Sequence, residues 1–363
     1  QPLKGVLPVR LLICAGGTGG GVYPALTVTE RLTDDTQVLW VGSEGGMEAE
    51  LVARANLPYR GIRAAGVHGV SLRQLPGNLV KLWQGYKQSK QILKEYKPDV
   101  MMFTGGYVAI PMALAGLKIR TLLFVPDIEP GMALKTLARF SDKIAISVED
   151  SRRFFSKKEK IEVTGYPLRQ DLMKWTKADA LAYFGFSSEK PVILVTGGSS
   201  GARSINKAVI AILGDLLKRY QMIHLTGHLD WETVKAATAN LPQSYQAFPY
   251  LHEMGAAYAA ADLVISRAGA SVLGEYPFFG LPAILVPYPY AWRYQKVNAD
   301  YLVEREAAVL LEDQYLQSQL LPLIDKLVQD QARLQHMQRA MKALSQPQAA
   351  EQIAHLLYEM AEG

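Results

Sequence analysis

The chain predicts two α/β domains, each built on a parallel sheet with helices packed on its faces. Three observations carry this. Its 363 residues exceed a single typical core, since cores stop growing near roughly 250 to 300 residues. Short β-branched apolar runs alternate with helical stretches along the whole length. The alternation also opens twice in the same manner, with an apolar run leading into a glycine-rich turn and then a helix.

In the first series the apolar runs are 11–15, 38–41, 100–104, 121–125 and 144–148. The second comprises 192–196, 222–226, 245–248, 263–266, 283–286 and 307–311. The break falls at Val163-Thr164-Gly165-Tyr166-Pro167, so residues 1–163 read as one domain and 164–340 as another. The opening turns are Gly16-Gly17-Thr18-Gly19-Gly20-Gly21 and Gly197-Gly198-Ser199-Ser200-Gly201. Ligands of open α/β sheets bind beyond the carboxyl ends of the strands, so both turns are expected on one interdomain cleft.

Composition narrows the class. An apolar content of 49% with 20% charged residues is that of an ordinary globular protein, and disorder is not expected. Cys14 is the only cysteine and lies inside an apolar run, so it reads as packing. No intramolecular disulfide or cysteine metal cluster can form, and a reducing compartment fits. No stretch reaches the ~18 uninterrupted apolar residues of a membrane span, and the nearest, 255–265, is broken by Asp262. The run 9–15 lacks the layout of a secretory signal, so a cytoplasmic location is expected. Residues 1–160 hold 22 Lys and Arg against 14 Asp and Glu, whereas the remainder holds 17 against 20. A basic first half suits an anionic partner such as a phosphate-bearing lipid surface or nucleic acid, although a solvated basic face would look the same.

A glycine turn at a helix N-terminus presents main-chain N–H groups without Cβ obstruction, which suits phosphate oxygens. A ligand-free tight turn would use the same glycines, but two in matched places favour function. Neither turn satisfies G-x-G-x-x-G, because Val22 stands where the third glycine belongs, and neither carries Gly-Lys-Ser/Thr. A nicotinamide dehydrogenase or P-loop NTPase is therefore disfavoured. No Asp-x-Asp pair or His/Glu cluster has metal-ligand spacing, so no metal or other cofactor is expected.

Further motifs accompany the turns: Pro24-Ala25-Leu26, Lys97-Pro98-Asp99-Val100, Gly105-Gly106-Tyr107, Gly165-Tyr166-Pro167-Leu168-Arg169, and Ala202-Arg203 with Asn206. Ser266-Arg267-Ala268-Gly269-Ala270 with Glu275 follows, then Gly280-Leu281-Pro282-Ala283 ahead of Gln295 and Asn298-Ala299. In this order, across residues 10–302, the chain resembles the MurG family of glycosyltransferases. The resemblance implies a GT-B fold, two Rossmann-like parallel-sheet domains facing across an interdomain cleft, with a C-terminal helix (341–363) packed back on the first domain. It implies that the second domain holds UDP-N-acetylglucosamine and that the first meets a lipid-linked acceptor at the cytoplasmic face of the membrane. In the family that acceptor is lipid I and the product lipid II, for peptidoglycan; nucleic acid is not a partner. By motif position, Arg169 and Ser199, with the amides around Gly198 and Ser200, face the diphosphate. Tyr250 and Leu251 flank the uracil, Glu275 binds the ribose hydroxyls, and Gln295 contacts the sugar. Ala270, Ser271 and Val272 lie at a helix start beneath the phosphates. The acceptor side falls to Thr18, Gly19, Gly20 and Gly21 with Gly105, Gly106 and Tyr107. Residue chemistry agrees, since a carboxylate suits vicinal hydroxyls and an arginine suits a diphosphate.

The chain departs from the family pattern in four places. Gly21 replaces a histidine discussed as the base, Phe124-Val125-Pro126-Asp127 replaces His-Glu-Gln-Asn, Tyr166 replaces an asparagine, and Tyr294 precedes Gln295 where the family has histidine or glutamine. Asp127 becomes the candidate base, and His68 reads as a surface or acceptor contact. Three readings stay open: transfer to lipid I, transfer to another lipid or natural-product acceptor, and non-catalytic UDP-sugar binding. A missing base need not abolish turnover, because leaving-group stabilisation remains.

Between Arg73 and Lys97, six basic residues oppose only Glu95. Leu75, Leu79, Leu82 and Tyr86 recur at helical spacing with Trp83 beside them. The stripe suits either packing on the sheet or entry into an anionic membrane surface.

Overall fold

In a computed structural model of the chain, residues 8–16, 19–65, 75–198 and 200–362 are described. They form two compact units. The first runs to Pro167 and takes back Pro347 onward, while the second is Leu168–Gln346. The boundaries fall a few residues beyond positions 163 and 340 read from the sequence.

The first unit holds seven strands: β1 (Arg10–Ala15), β2 (Gln37–Ser43), β3 (Tyr59–Ile62), β4 (Val100–Gly105), β5 (Arg120–Val125), β6 (Lys143–Ile146) and β7 (Ile161–Val163). Their order is β3-β2-β1-β4-β5-β6-β7, with every pairing parallel. Helices cover both faces, so the central strands are apolar throughout: β4 is buried at all six positions. The sequence reading omits β3 and β7. Both are short edge strands in which one residue each, Ile62 and Ile161, is buried, so neither has an apolar run to see. The helix Ala349–Glu362 belongs to this unit, burying Ala350, Ile353, Ala354 and Leu357 along one stripe. Tyr358 on it bonds to Thr33 N–H at 2.8 Å and to the Thr36 hydroxyl at 2.7 Å.

The second unit holds β8 (Val192–Thr196), β9 (Gln221–Leu225), β10 (Tyr245–Phe248), β11 (Leu263–Ser266), β12 (Ala283–Leu285) and β13 (Ala308–Leu310). The order is β10-β9-β8-β11-β12-β13, again all parallel. Each sheet therefore reverses its strand order once, between β1 and β4 in one and between β8 and β11 in the other. At such a switch point the turns diverge and leave a crevice for a ligand.

The helix Leu75–Tyr96 packs through Gly85, Ser89 and Ile92, not through the leucine stripe alone. Gly85 is required there, because a methyl would stand 2.0 Å from the Arg63 carbonyl oxygen. Leu82 and Tyr86 are half-buried, whereas Leu79 (53% exposed), Val80 and Trp83 (57%) face solvent. The Leu75 side chain, Arg73 and His68 lie outside the described residues.

Candidate active site

Strand β8 delivers Gly197–Gly201 to the N-terminus of the helix Arg203–Leu216. Gly201 has φ +77°, and a methyl there would lie 2.1 Å from the Thr226 carbonyl oxygen; one on Gly227 would lie 2.5 Å from Gly201 Cα. The turns after β8 and β9 thus meet glycine to glycine. Asn206 Nδ2 supports them by donating to Thr226 O at 2.9 Å and to Asp230 Oδ2 at 3.0 Å. Its Oδ1 is 2.9 Å from His224 Nε2, and His224 Nδ1 is 2.9 Å from the Tyr245 hydroxyl. With the amide nitrogen committed as donor, Oδ1 must accept, so the His224 proton is assigned to Nε2 and Tyr245 donates to Nδ1. Burial lowers the His224 pKa to about 4, which keeps the ring in the neutral form this chain of bonds needs. Gly198 and Ser200 are exposed, as an anion-binding turn requires, and Ser199 lies outside the described residues.

The segment after β11 is not one helix. A four-residue 3-10 turn, Ala270–Leu273, breaks at Gly274 before the short helix Glu275–Phe279. Pro277 explains the break, because it has no N–H to bond the Leu273 carbonyl four residues back. Ala270 and Val272 are buried in the turn and Ser271 is half-buried. Glu275 accepts the Tyr258 hydroxyl on Oε2 at 2.7 Å. Burial raises the Glu275 carboxyl above its ordinary range, while Tyr258, the charge of Arg169 and the Ser271 hydroxyl pull it back toward ionisation and Asp171 opposes them. Arg169 itself pairs with Asp171 at 3.4 Å. Burial also pushes the Tyr258 phenol well above its usual value, so it remains a donor to the carboxylate. Arg169, Ser271 and Glu275 are therefore brought together in the second unit.

Gln295 Oε1 accepts Tyr288 N–H at 2.8 Å and Ala268 N–H at 3.3 Å. These two bonds fix its amide orientation and direct its NH2 group elsewhere. Asn298, fully buried, donates to Ala268 O at 3.1 Å and holds the same turn. Tyr250 and Leu251 follow β10, which β9 and β8 separate from β11. Tyr250 is exposed and its ring runs parallel to His228, with centroids 6.4 Å apart, whereas Leu251 is buried.

In the first unit, Gly19, Gly20 and Gly21 open the helix Gly19–Thr29 beyond β1; Thr18 lies outside the described residues. Gly21 is buried against β4: Thr104 Oγ1 donates to its carbonyl at 2.7 Å, and a methyl there would stand 3.2 Å from Thr104 O. Gly105 and Gly106 both have positive φ, and a methyl on Gly106 would come within 2.5 Å of the Gly16 carbonyl oxygen. These two glycine turns thus touch at the β1/β4 switch point, with Tyr107 exposed beside them. Asp127, partly exposed, leaves the end of the neighbouring strand β5. Two residues on, Glu129 is buried and paired with Lys135 at 3.3 Å.

Residues 11–146 match the N-terminal domain of glycosyltransferase family 28, and residues 192–353 match its C-terminal domain. The chain belongs to glycosyltransferase family 28. Within family 28 it is a MurG-family enzyme with the GT-B fold. A relative from Roseiflexus sp. (strain RS-1) is 37% identical over 420 residues, covering 97% of this chain and 95% of its own. Another, from Listeria welshimeri, is 37% identical over 353 residues, covering 94% and 97% respectively. Both are named UDP-N-acetylglucosamine–N-acetylmuramyl-(pentapeptide) pyrophosphoryl-undecaprenol N-acetylglucosamine transferase. The crystal structure of Acinetobacter baumannii MurG matches with a TM-score of 0.78 at 26% identity, covering 97% of this chain and all of that one. A UDP-GlcNAc 2-epimerase from Neisseria meningitidis shares the fold at a TM-score of 0.68 and 14% identity.

Three features of this MurG-family site escape a motif reading. Tyr258, the partner of Glu275, sits in an alanine-rich helix with no motif of its own. Asn206 stands in a motif, but the buried chain of bonds it makes with His224 and Tyr245 does not show there. The Glu129–Lys135 pair follows Asp127 closely enough that its charges were visible, but not its burial.

Proposed function

We propose that the chain transfers N-acetylglucosamine, with inversion, from UDP-N-acetylglucosamine to lipid I, giving lipid II. The observation that carries this reading is the donor constellation of the second unit, Glu275 with Arg169 and Ser271 near the switch point, in a chain related to the named transferases over nearly its full length. The Gly197–Gly201 turn and Arg169 receive the diphosphate, Tyr250 and Leu251 flank the uracil, and Glu275 accepts the ribose hydroxyls. Gln295 offers its NH2 group to the sugar.

In the reaction, the acceptor hydroxyl gives its proton to the Asp127 carboxylate and its oxygen bonds the anomeric carbon. The bond from that carbon to the donor phosphate breaks and its electron pair leaves with UDP. Main-chain amides and Arg169 stabilise the charge that grows on the diphosphate. No metal is assigned a role.

The lipid-linked acceptor calls for docking at the cytoplasmic face of the membrane. No helix among the described residues is long and apolar enough to cross it. The exposed Leu79, Val80 and Trp83, with Lys81, Lys87 and Lys90 on the same helix, supply apolar contact and attraction to anionic lipid. Lys87 Nζ lies 3.6 Å from the Trp83 ring centroid, so charge and aromatic surface present together.

Incubation with radiolabelled UDP-N-acetylglucosamine and lipid I tests the reading. Labelled lipid II is the expected product, and its absence with folded protein would falsify the proposal.

A further inference from the structure

We infer that Glu48 is a positioning residue for the acceptor side, its reach setting where the glycine turns beyond β1 and β4 sit. The inference rests on the reading of those turns as acceptor-binding. Glu48 opens the helix Glu48–Arg54 and is fully buried. Its Oε1 accepts Ser43 N–H at 2.6 Å. Three glycines crowd the same side chain, two of them from the run leading into its own helix: a methyl would come within 2.5 Å of it at Gly16, 2.8 Å at Gly42 and 2.4 Å at Gly46.

Gly16 is where this matters. On one side it meets the Glu48 carboxyl group; on another, its carbonyl oxygen sits 2.5 Å from where a Gly106 methyl would be. Carboxylate, Gly16 and Gly106 therefore stack with no space for a methyl between successive layers. Trp40 Nε1 fixes the preceding carbonyl, donating to Ala15 O at 3.0 Å. Gly106 holds φ +85° and leads directly to the exposed Tyr107. A change in the reach of residue 48 thus moves Gly16 and, through it, the Gly105–Gly106 turn. Glu48, Gly16 and Gly106 all belong to the first unit, whereas Arg169 and Glu275 belong to the second.

Glu48→Gln keeps the reach and removes the charge; Glu48→Asp keeps the charge and withdraws it by one methylene. In the full chain, Glu48→Asp is expected to raise KM for lipid I about tenfold, with the dissociation constant for UDP unchanged. It should also speed hydrogen exchange in the peptide spanning residues 100–108. Glu48→Gln should match the parent in all three. The inference is overturned if Glu48→Asp behaves as the parent, if Glu48→Gln loses as much as Glu48→Asp, or if UDP affinity falls in step with the acceptor KM. Should Glu48→Asp not fold, Gly106→Ala disturbs the same stack from the other side and must reproduce the acceptor defect with normal UDP binding; a normal acceptor KM there also overturns it. A parent protein inactive on lipid I would sink the proposed function, while the exchange measurement would still decide the role of Glu48.

Discussion

Tyr258 donates its hydroxyl to Oε2 of the Glu275 carboxylate at 2.7 Å, and the Ser271 hydroxyl and the Arg169 charge favour the same ionised form. Because burial raises this carboxyl, it takes up a proton at a pH where an ordinary glutamate, near 4.5, is still charged. UDP affinity should therefore fall on acidification beginning above the ordinary carboxylate range. Tyr258→Phe removes a donor that favours the ionised form, so it should move the fall to higher pH. Glu275→Ala should flatten the profile and weaken binding by about 1 to 3 kcal/mol. Calorimetric titration across mildly acidic pH checks this, and a pH-independent affinity in the parent would remove Glu275 from the ribose site. The linked stability effect has the opposite sense: without ligand the folded state binds the proton more tightly than the unfolded chain, so this group costs stability as pH rises through its folded pKa.

The Arg169 charge acts on Glu275, and in the proposed site it also receives the diphosphate. Arg169→Ala should weaken UDP by about 1.5 to 3 kcal/mol, the value of charge-assisted hydrogen bonds, and weaken uridine far less. Equal losses for the two ligands would contradict a diphosphate contact.

Gly201→Ala places a methyl 2.1 Å from the Thr226 carbonyl oxygen at φ +77°. Backbone strain and overpacking together should lower stability by about 2 to 5 kcal/mol and distort the turn proposed to receive the diphosphate. A thermal melt reads the first effect and UDP titration the second; an unchanged melting temperature would mean that the two turns can separate at no cost.

Asp127→Asn removes the proposed base while keeping size. Turnover should drop ~10²-fold or more with UDP affinity unchanged. Turnover near that of the parent would move the base elsewhere, and Glu129 would be the next residue to test.

Replacing Lys81, Lys87 and Lys90 with Glu should abolish sedimentation with anionic liposomes and leave UDP binding intact, since each lysine near the surface contributes roughly 1 kcal/mol. Binding by the parent should weaken with added salt. Normal sedimentation of the triple variant would exclude this helix as the membrane face.

The legible parts of this molecule were those whose physics is local. Strands such as β4 and β8 declare themselves because burial on both faces leaves a continuous apolar run, and the glycine turns follow from the steric needs of main chain meeting main chain. Gly201 and Gly106 were visible as glycines, but not the atoms that exclude a methyl, which lie in other strands' turns. Leu79 shows the limit of periodicity: its spacing with Leu82 and Tyr86 defines a stripe, yet Gly85 and Ser89 select the packing face, and neither is apolar enough to enter the pattern. Pro277 is a signal for the broken helix after β11, since it lacks the N–H that would bond the Leu273 carbonyl, although Pro322 sits within the unbroken helix Leu316–Gln329.

The return of Ala349–Glu362 to the first unit also orders events during synthesis. The second unit is one uninterrupted stretch and can close its core as soon as Gln346 has left the ribosome. The first unit, although most of it precedes the second, must wait for this later helix to cover the apolar surface that Leu357 and Ile353 seal. Until then its earlier strands carry exposed apolar surface, and that interval is when the nascent protein is most open to chaperone capture or aggregation.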